Sequence, residues 1–308
     1  MLGRGQERKE VTAFCGFISP WFIGFVAFSA LPLVASLVMS MATFNLYGLK
    51  DFHWVGLAHY RFALEDPDTR QALEDTAIFT AIFVPLALLV QVALALLINS
   101  GRQLRNLFTA VFYLPAVIPT VVSILIIWRT GIAGENGLFD RIYHLFVPHG
   151  TVYWLDDQGR LVLILFMLWS TAGIGMLVFL AGLQNVSREL REAAALDGAT
   201  RGQILRTITL PLLTPVIFLQ LVLGLIAAAQ MMIQPILLGS SIGSAGSPFF
   251  YAPASGAEIL PAHIFGVTFI GAAPGAGAAL SWLFFVIVLA ATLVLFATGK
   301  LWVFYDSD

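Results

Sequence analysis

The side chains able to do chemistry are few in this sequence, and they are scattered. The five histidines, at 53, 59, 144, 149 and 263, include no H-E-x-x-H pair, and the single cysteine, Cys15, lies in an apolar run. Neither a thiolate nor a histidine metal site is expected. Asp156-Asp157 reads as a solvated pair in a loop, and no serine–histidine–acid arrangement emerges from the order of residues. The stretch GAAPGAG (271–277) is rich in glycine but follows no strand, and no G-x-x-x-x-G-K-[ST] phosphate loop occurs. Hydrogen bonding to a neutral solute is the chemistry that remains. Gln220, Gly224, Ala227, Met231 and Gln234 recur at the spacing of one helical face, with Gln230 beside them. Trp169 and Thr171 stand in a neighbouring apolar run. Amides donate and accept, which suits a hydroxyl-rich cargo. The same amides could instead bond helix to helix.

The elements that must position these groups are membrane helices. Of the 308 residues, 59% are hydrophobic and only 11% charged, with a net charge of −2 and a mean hydropathy of +0.88. A soluble domain carries about a quarter charged residues, and the near-neutral balance argues against nucleic acid as a partner. Stretches 77–98, 107–128, 161–183, 210–238 and 278–298 are uncharged and long enough to span a bilayer. A sixth helix is expected over 12–43. That run is too long for the apolar core of a cleaved signal peptide and is read as retained. The fold class is therefore all-α, polytopic, with six transmembrane helices. Pro20, Pro32, Pro85, Pro115, Pro119 and Pro215 fall inside these runs; a helix bundle tolerates them because neighbouring groups satisfy the freed carbonyls. Trp128, Trp154 and Trp302 fall near span ends, where interfacial anchors gather. No charge is expected within the spans, which points to an uncharged solute.

Placing both termini in the cytoplasm puts ten basic residues inside (Arg4, Arg8, Lys9, Arg102, Arg105, Arg188, Arg191, Arg201, Arg206, Lys300) and six outside. The positive-inside rule favours that orientation. It leaves REAAALDGATRGQILRTITLPLL (191–213) as a cytoplasmic loop between the fourth and fifth spans. Ser187 can cap a helix running to Leu196, with Glu189 in its first turn. Ala193, Ala194 and Ala195 keep that helix thin, and Gly198 suits a left-handed stop. Thr200 with Gln203 has the form of a capping box, so a second helix starts at once, with Ile204, Leu205 and Ile208 as its apolar stripe.

Glu192-Ala193-Ala194, then Gly198, then Ile208-x-Leu210-Pro211 resembles the EAA loop of ATP-binding-cassette importer permeases, and the string from Leu180 to Pro215 is similar to the maltose-type sugar-permease branch. Ser187 stands where that family often has proline. WVGLAHYRFALEDPDTRQALEDTAIFTAIF (54–83) and AALSWLFFVIVLAATL (278–293) resemble the segments around the second and last helices of its first permease type. The similarity runs from about residue 18 to 296 and weakens over 239–261, an outer loop where the family often carries a Gly-Gly-Pro turn.

The resemblance implies a type I importer permease fold with residues 1–72 as N-terminal segment, first helix and outer loop, 73–299 as the five-helix permease core and 300–308 as a short tail. Glu192, Ala193, Ala194, Asp197, Gly198, Ile208, Leu210 and Pro211 would form the coupling loop, and Gln230, Gln234, Gln220, Met231, Trp169 and Thr171 are candidates for the substrate pathway. It implies a bacterial or archaeal cytoplasmic membrane, a second homologous permease forming a heterodimer, two ATPase domains or subunits that carry ATP and magnesium, and an extracytoplasmic solute-binding protein. This chain would bind no cofactor or metal and catalyse nothing. Sugar import is the expectation; glycerol-phosphate, peptide or amino-acid import, a stand-alone secondary transporter and a membrane enzyme are the alternatives.

Overall fold

The computed structural model describes residues 4–45, 48–100, 105–117, 127–133, 136–147, 152–239 and 256–304. The chain divides into two compact units, residues 1–65 with 267–283 and residues 66–266 with 284–308.

In the first unit, α1 (Arg4–Phe25) and α2 (Leu31–Met39) join through a π-helical turn, Val26–Ala30, in which the Leu31 N–H donates to Val26 O. Pro32 follows directly and has no N–H to give, so the widened turn sits where regular helical bonding is interrupted. The helix expected over 12–43 ends at Met39. Residues beyond it form β1 (Ala42–Asn45), paired antiparallel with β2 (Gly48–Trp54), Ala42 opposite Trp54 and Thr43 opposite His53. This hairpin is the departure from an all-helical chain among the described residues, and the β-branched and aromatic Thr43 and Phe44 suit its pleated surface. In α3 (Ala58–Glu65) the Tyr60 hydroxyl shares a 2.7 Å hydrogen bond with Ser40 at the end of α2.

The second unit holds α4 (Pro67–Ser100), α5 (Arg105–Val117), α6 (Leu138–Phe146), α7 (Gly159–Asn185), α8 (Arg188–Leu196), α9 (Arg201–Ile204), α10 (Thr214–Ala229), α11 (Ile233–Leu238) and α12 (Leu260–Phe265). The last helix, α13 (Pro274–Trp302), starts in the first unit and ends in the second. Its central helix is α7, which packs along α4 and α5. Half of the most apolar window of α7 (50%) is buried inside the protein, against 33% for α4 and none (0%) for the first helix. A helix apolar all round must be enclosed or face lipid; α7 is enclosed over half of that window, and the first helix leaves its apolar side chains exposed. Phe79, Phe83, Phe166 and Met167 anchor the larger core cluster, and Met176, Phe179, Leu183 and Leu213 the smaller.

Among the described residues, four helices are long and apolar enough to cross a membrane, and a fifth span results if Arg201–Leu212 and Thr214–Ala229, bent by 62° to one another, count as one. Residues 118–126 of the expected 107–128 span lie outside the described residues. Two expectations are corrected. The run 210–238 is not one helix: α10 stops at Ala229, and α11 restarts at Ile233 with Pro235 in its first turn, where a missing N–H is tolerated. Trp128 is no interfacial anchor; it is buried, edge-on to Phe139 and Phe166 at 5.9 and 5.5 Å.

Candidate functional site: an exposed helical loop and an amide-lined cavity

The loop after α7 folds as its residues dictate. Ser187 Oγ accepts from the Leu190 N–H and opens α8. At the other end Gly198 has φ +84°, its N–H donates to Ala195 O, and the Ala199 N–H donates to Ala194 O. These bonds satisfy the orphan carbonyls of the last turn in the Schellman pattern. Two residues on, the Thr200 N–H donates to Gln203 Oε1 at 2.7 Å and the Gln203 N–H returns to Thr200 Oγ1, so α9 begins with a full capping box. Glu192 lies exposed on α8 and accepts 2.6 Å from Arg188 Nε, one turn earlier. That hydrogen bond, with the carboxylate charge, raises the Arg188 guanidinium above its usual value. Leu190 and Leu196 are 52% and 90% exposed, so α8 turns an apolar and small-residue surface away from its own chain. Ala193, Ala194, Asp197 and Gly198 share that surface; Ile208, Leu210 and Pro211 are half-buried beyond it. Leu205–Thr209 is a π-helical turn ahead of Pro211, the arrangement already met at Pro32.

Between α4, α7 and α10 lies a cavity of about 250 Å³. Its polar lining residues are Gln91, Thr171 and Gln220, set among apolar side chains and Gly175, Gly224 and Ala227. Gln220 Nε2 lies 3.5 Å from Gln91 Oε1, and the Thr171 hydroxyl donates to Met167 O at 2.7 Å. A β-carbon at Gly175 would overlap the Gln91 carboxamide, so glycine there makes the space the amide occupies. Among the described residues, no ionisable side chain lines the cavity.

The structure brings Gln220 and Thr171 together and leaves the other pathway candidates apart. Met231 is buried in the larger apolar cluster, past the end of α10. Gln230 is exposed at the helix break and Gln234 half-buried on α11. Trp169 packs on Trp128 at 5.8 Å and does not line the cavity. Gln91 was not singled out from the sequence, although it is the sole amide in the run 77–98.

A second feature escaped the sequence altogether. α4 begins at Pro67, well before its uncharged run, and α7 at Gly159, just before its own, and these leading residues carry charge. Asp66 caps α4, accepting from the Thr69 N–H at 2.8 Å. Asp75, 2% exposed, pairs with Arg160 Nη2 at 2.5 Å, and Arg160 Nε donates to Gly256 O at 2.9 Å. Thr76 Oγ1 accepts from the Leu260 N–H at 2.7 Å, and His263 Nδ1 lies 3.1 Å from Glu258 Oε1. The Asp75–Arg160 pair joins the heads of α4 and α7, and the Arg160–Gly256 and Thr76–Leu260 bonds fix the segment 256–265 to them.

The family of binding-protein-dependent transport system inner membrane components matches residues 84–301, which include the loop, α7, α10 and the part of α4 from Val84 onward. This chain belongs to that family. It is therefore a permease component of a binding-protein-dependent transport system, embedded in a membrane. Over its whole length (100%, and 99% of the relative) it is 32% identical to the probable ABC transporter permease protein YesP of Bacillus subtilis (strain 168). It is 32% identical to the arabinooligosaccharides transport system permease protein AraP of the same organism, over 70% of this chain and 68% of that protein. A solved bacterial ABC transporter involved in the import of the acidic polysaccharide alginate contains a chain that matches 96% of this one and 97% of its own length, with a TM-score of 0.79 and 22% identity. That likeness concerns the fold.

Proposed function

We propose that this chain forms half of the pore of an ATP-driven importer for neutral oligosaccharides. The observation that carries the solute class is the cavity, in which Gln91, Gln220 and Thr171 offer hydrogen bonds and, among the described residues, no ionisable group offers charge. Amide and hydroxyl groups match sugar hydroxyls one for one, and a charged cargo in a low-dielectric site would require a counter-charge. AraP, an arabinooligosaccharides permease, and the lactose transport system permease LacF of Rhizobium radiobacter, 26% identical over 82% of this chain, are consistent with this class.

In this reading a second, homologous but non-identical permease completes the pore. Residues 73–299 form the permease core, with both termini in the cytoplasm. Two ATPase subunits bind ATP and magnesium, and this chain catalyses nothing itself. A solute-binding protein delivers cargo at the opposite face, near the segment that Arg160 and Thr76 fix. The loop Ser187–Leu213 docks in an ATPase cleft. Its helix α8 is rigid, being capped at both ends, and it exposes Leu190 and Leu196 to the partner. ATPase closure would move α8 as a unit and transmit force through α9 and Pro211 to α10, whose Gln220 lines the cavity.

The test is the complex purified with its binding protein and reconstituted in liposomes. Neutral arabino-, galacto- and malto-oligosaccharides should stimulate ATP hydrolysis and uronate oligosaccharides should not. Stimulation by uronates alone would show that the solute class is wrong, and a complex holding two copies of this permease and no other would overturn the heterodimer.

A further inference from the structure

The bend between the loop and α10 is held by the end of the last helix. Thr214 Oγ1 donates to Pro211 O at 2.7 Å. In a regular helix that carbonyl would accept from the N–H four residues on, but residue 215 is proline and has none. The threonine hydroxyl takes the place of the missing donor. Its oxygen then accepts from the Phe304 N–H at 2.9 Å, two residues past the end of α13. One turn further along α10, the Phe218 ring meets Phe296 edge-on at 5.2 Å and Trp302 at 5.9 Å. The approach is close: a β-carbon at Gly299 would lie 2.8 Å from Phe218 Cε2. The residues at and just past the end of α13 thus hold the α10 side of the 62° bend at Thr214 and Phe218, and the Thr214 hydroxyl alone carries the link across the bend to Pro211.

We infer that Thr214 is a positioning residue for energy coupling, with the chain end around Phe304 as its support: together they fix the angle at which movement of the loop reaches α10. The inference rests on the reading of the loop as the ATPase contact. A bend without a cross-link can rotate about its own backbone; one whose far carbonyl is hydrogen-bonded to a hydroxyl that a third element holds in place transmits displacement instead. The link across the bend is one hydroxyl, so it can be removed with little change in volume and with the Phe218 contacts left in place.

The test uses the whole complex in lipid nanodiscs with its binding protein and a defined mixture of neutral arabino-, galacto- and malto-oligosaccharides. The readout is the stimulation of ATP hydrolysis by the loaded binding protein, with ATPase retention measured in parallel. Thr214→Val should lower the stimulation at least threefold while the ATPase subunits stay bound. A chain truncated after Val303, which removes the Phe304 N–H, should do the same, and the two changes combined should be no worse than either. Thr214→Ser should restore the wild-type value. Wild-type stimulation in Thr214→Val, failure of serine to rescue, or loss of the ATPase from Thr214→Val would each overturn the inference. Gly198→Val in the same assay separates the two readings. If it uncouples the complex and Thr214→Val does not, only the role of Thr214 falls; if it too behaves as wild type, the loop is not the coupling element.

Discussion

The loop Ser187–Leu213 and the polar network at the heads of α4 and α7 are both tightly hydrogen-bonded, yet they are built in opposite ways. In the loop each stabilising bond joins residues three to five apart: Ser187 to Leu190, Ala199 to Ala194, Thr200 to Gln203. In the network the partners are far apart in sequence: Asp75 with Arg160, Arg160 with Gly256, Thr76 with Leu260. The loop can therefore keep its shape while it moves against the rest of the protein. The network cannot, since its bonds are what join separate segments. In the proposed reading the loop would be the moving coupler and the network the fixed head.

Breaking the network should have the largest effect. Arg160→Met leaves the Asp75 carboxylate buried without its cation and should cost about 3 kcal/mol, read as a fall in the denaturation midpoint of the detergent-solubilised complex. Asp75→Leu with Arg160→Met should recover much of that loss, because no unpaired charge remains. Equal stability in Arg160→Met and wild type would show that the pair contributes nothing.

The cavity should come next. Gln91→Ala and Gln220→Ala are each expected to reduce oligosaccharide uptake about tenfold, equivalent to about 1.4 kcal/mol, with assembly intact. Gln230→Ala and Gln234→Ala should fall much less, since neither residue lines the cavity. The reverse order of effects would move the pathway to the break after α10.

Changes in the loop should be smaller in stability and selective in function. Gly198→Val puts a β-branched side chain at φ +84°, where no neighbour is within 4 Å of an added β-carbon. The penalty is backbone strain alone, about 1 kcal/mol. ATPase retention on the purified membrane subunits should drop, and Gly198→Asn, which tolerates this conformation, should keep most of it. Glu192→Lys breaks the pair with Arg188 and reverses the charge shown to the ATPase; it should weaken retention with no change in membrane insertion. Ser187→Ala should be the mildest, about 0.5–1 kcal/mol of local helix stability, visible as faster amide exchange at Leu190.

The same contrast explains what could be read in advance. Both caps, the glycine stop and the extent of α8 were legible because short-range geometry determines them, and the apolar runs announced most of the spans because lipid demands them. The break after Ala229 was missed: Gln220 to Gln234 keep helical spacing on paper, and the effect of Pro235 depends on whether the chain restarts its helix ahead of it. Gln91 could have been found as a lone amide in an apolar run. Nothing in the spacing of Asp75 and Arg160 announces that they meet.

By itself, the sequence determined the membrane setting, the helical class and the capped two-helix loop, since each follows from hydropathy or from bonds within a turn. The tertiary structure decided which amides share the cavity, which charges are buried together and what holds the bend before α10. Those depend on how α4, α7, α10 and α13 pack, and packing brings together residues that no local rule relates.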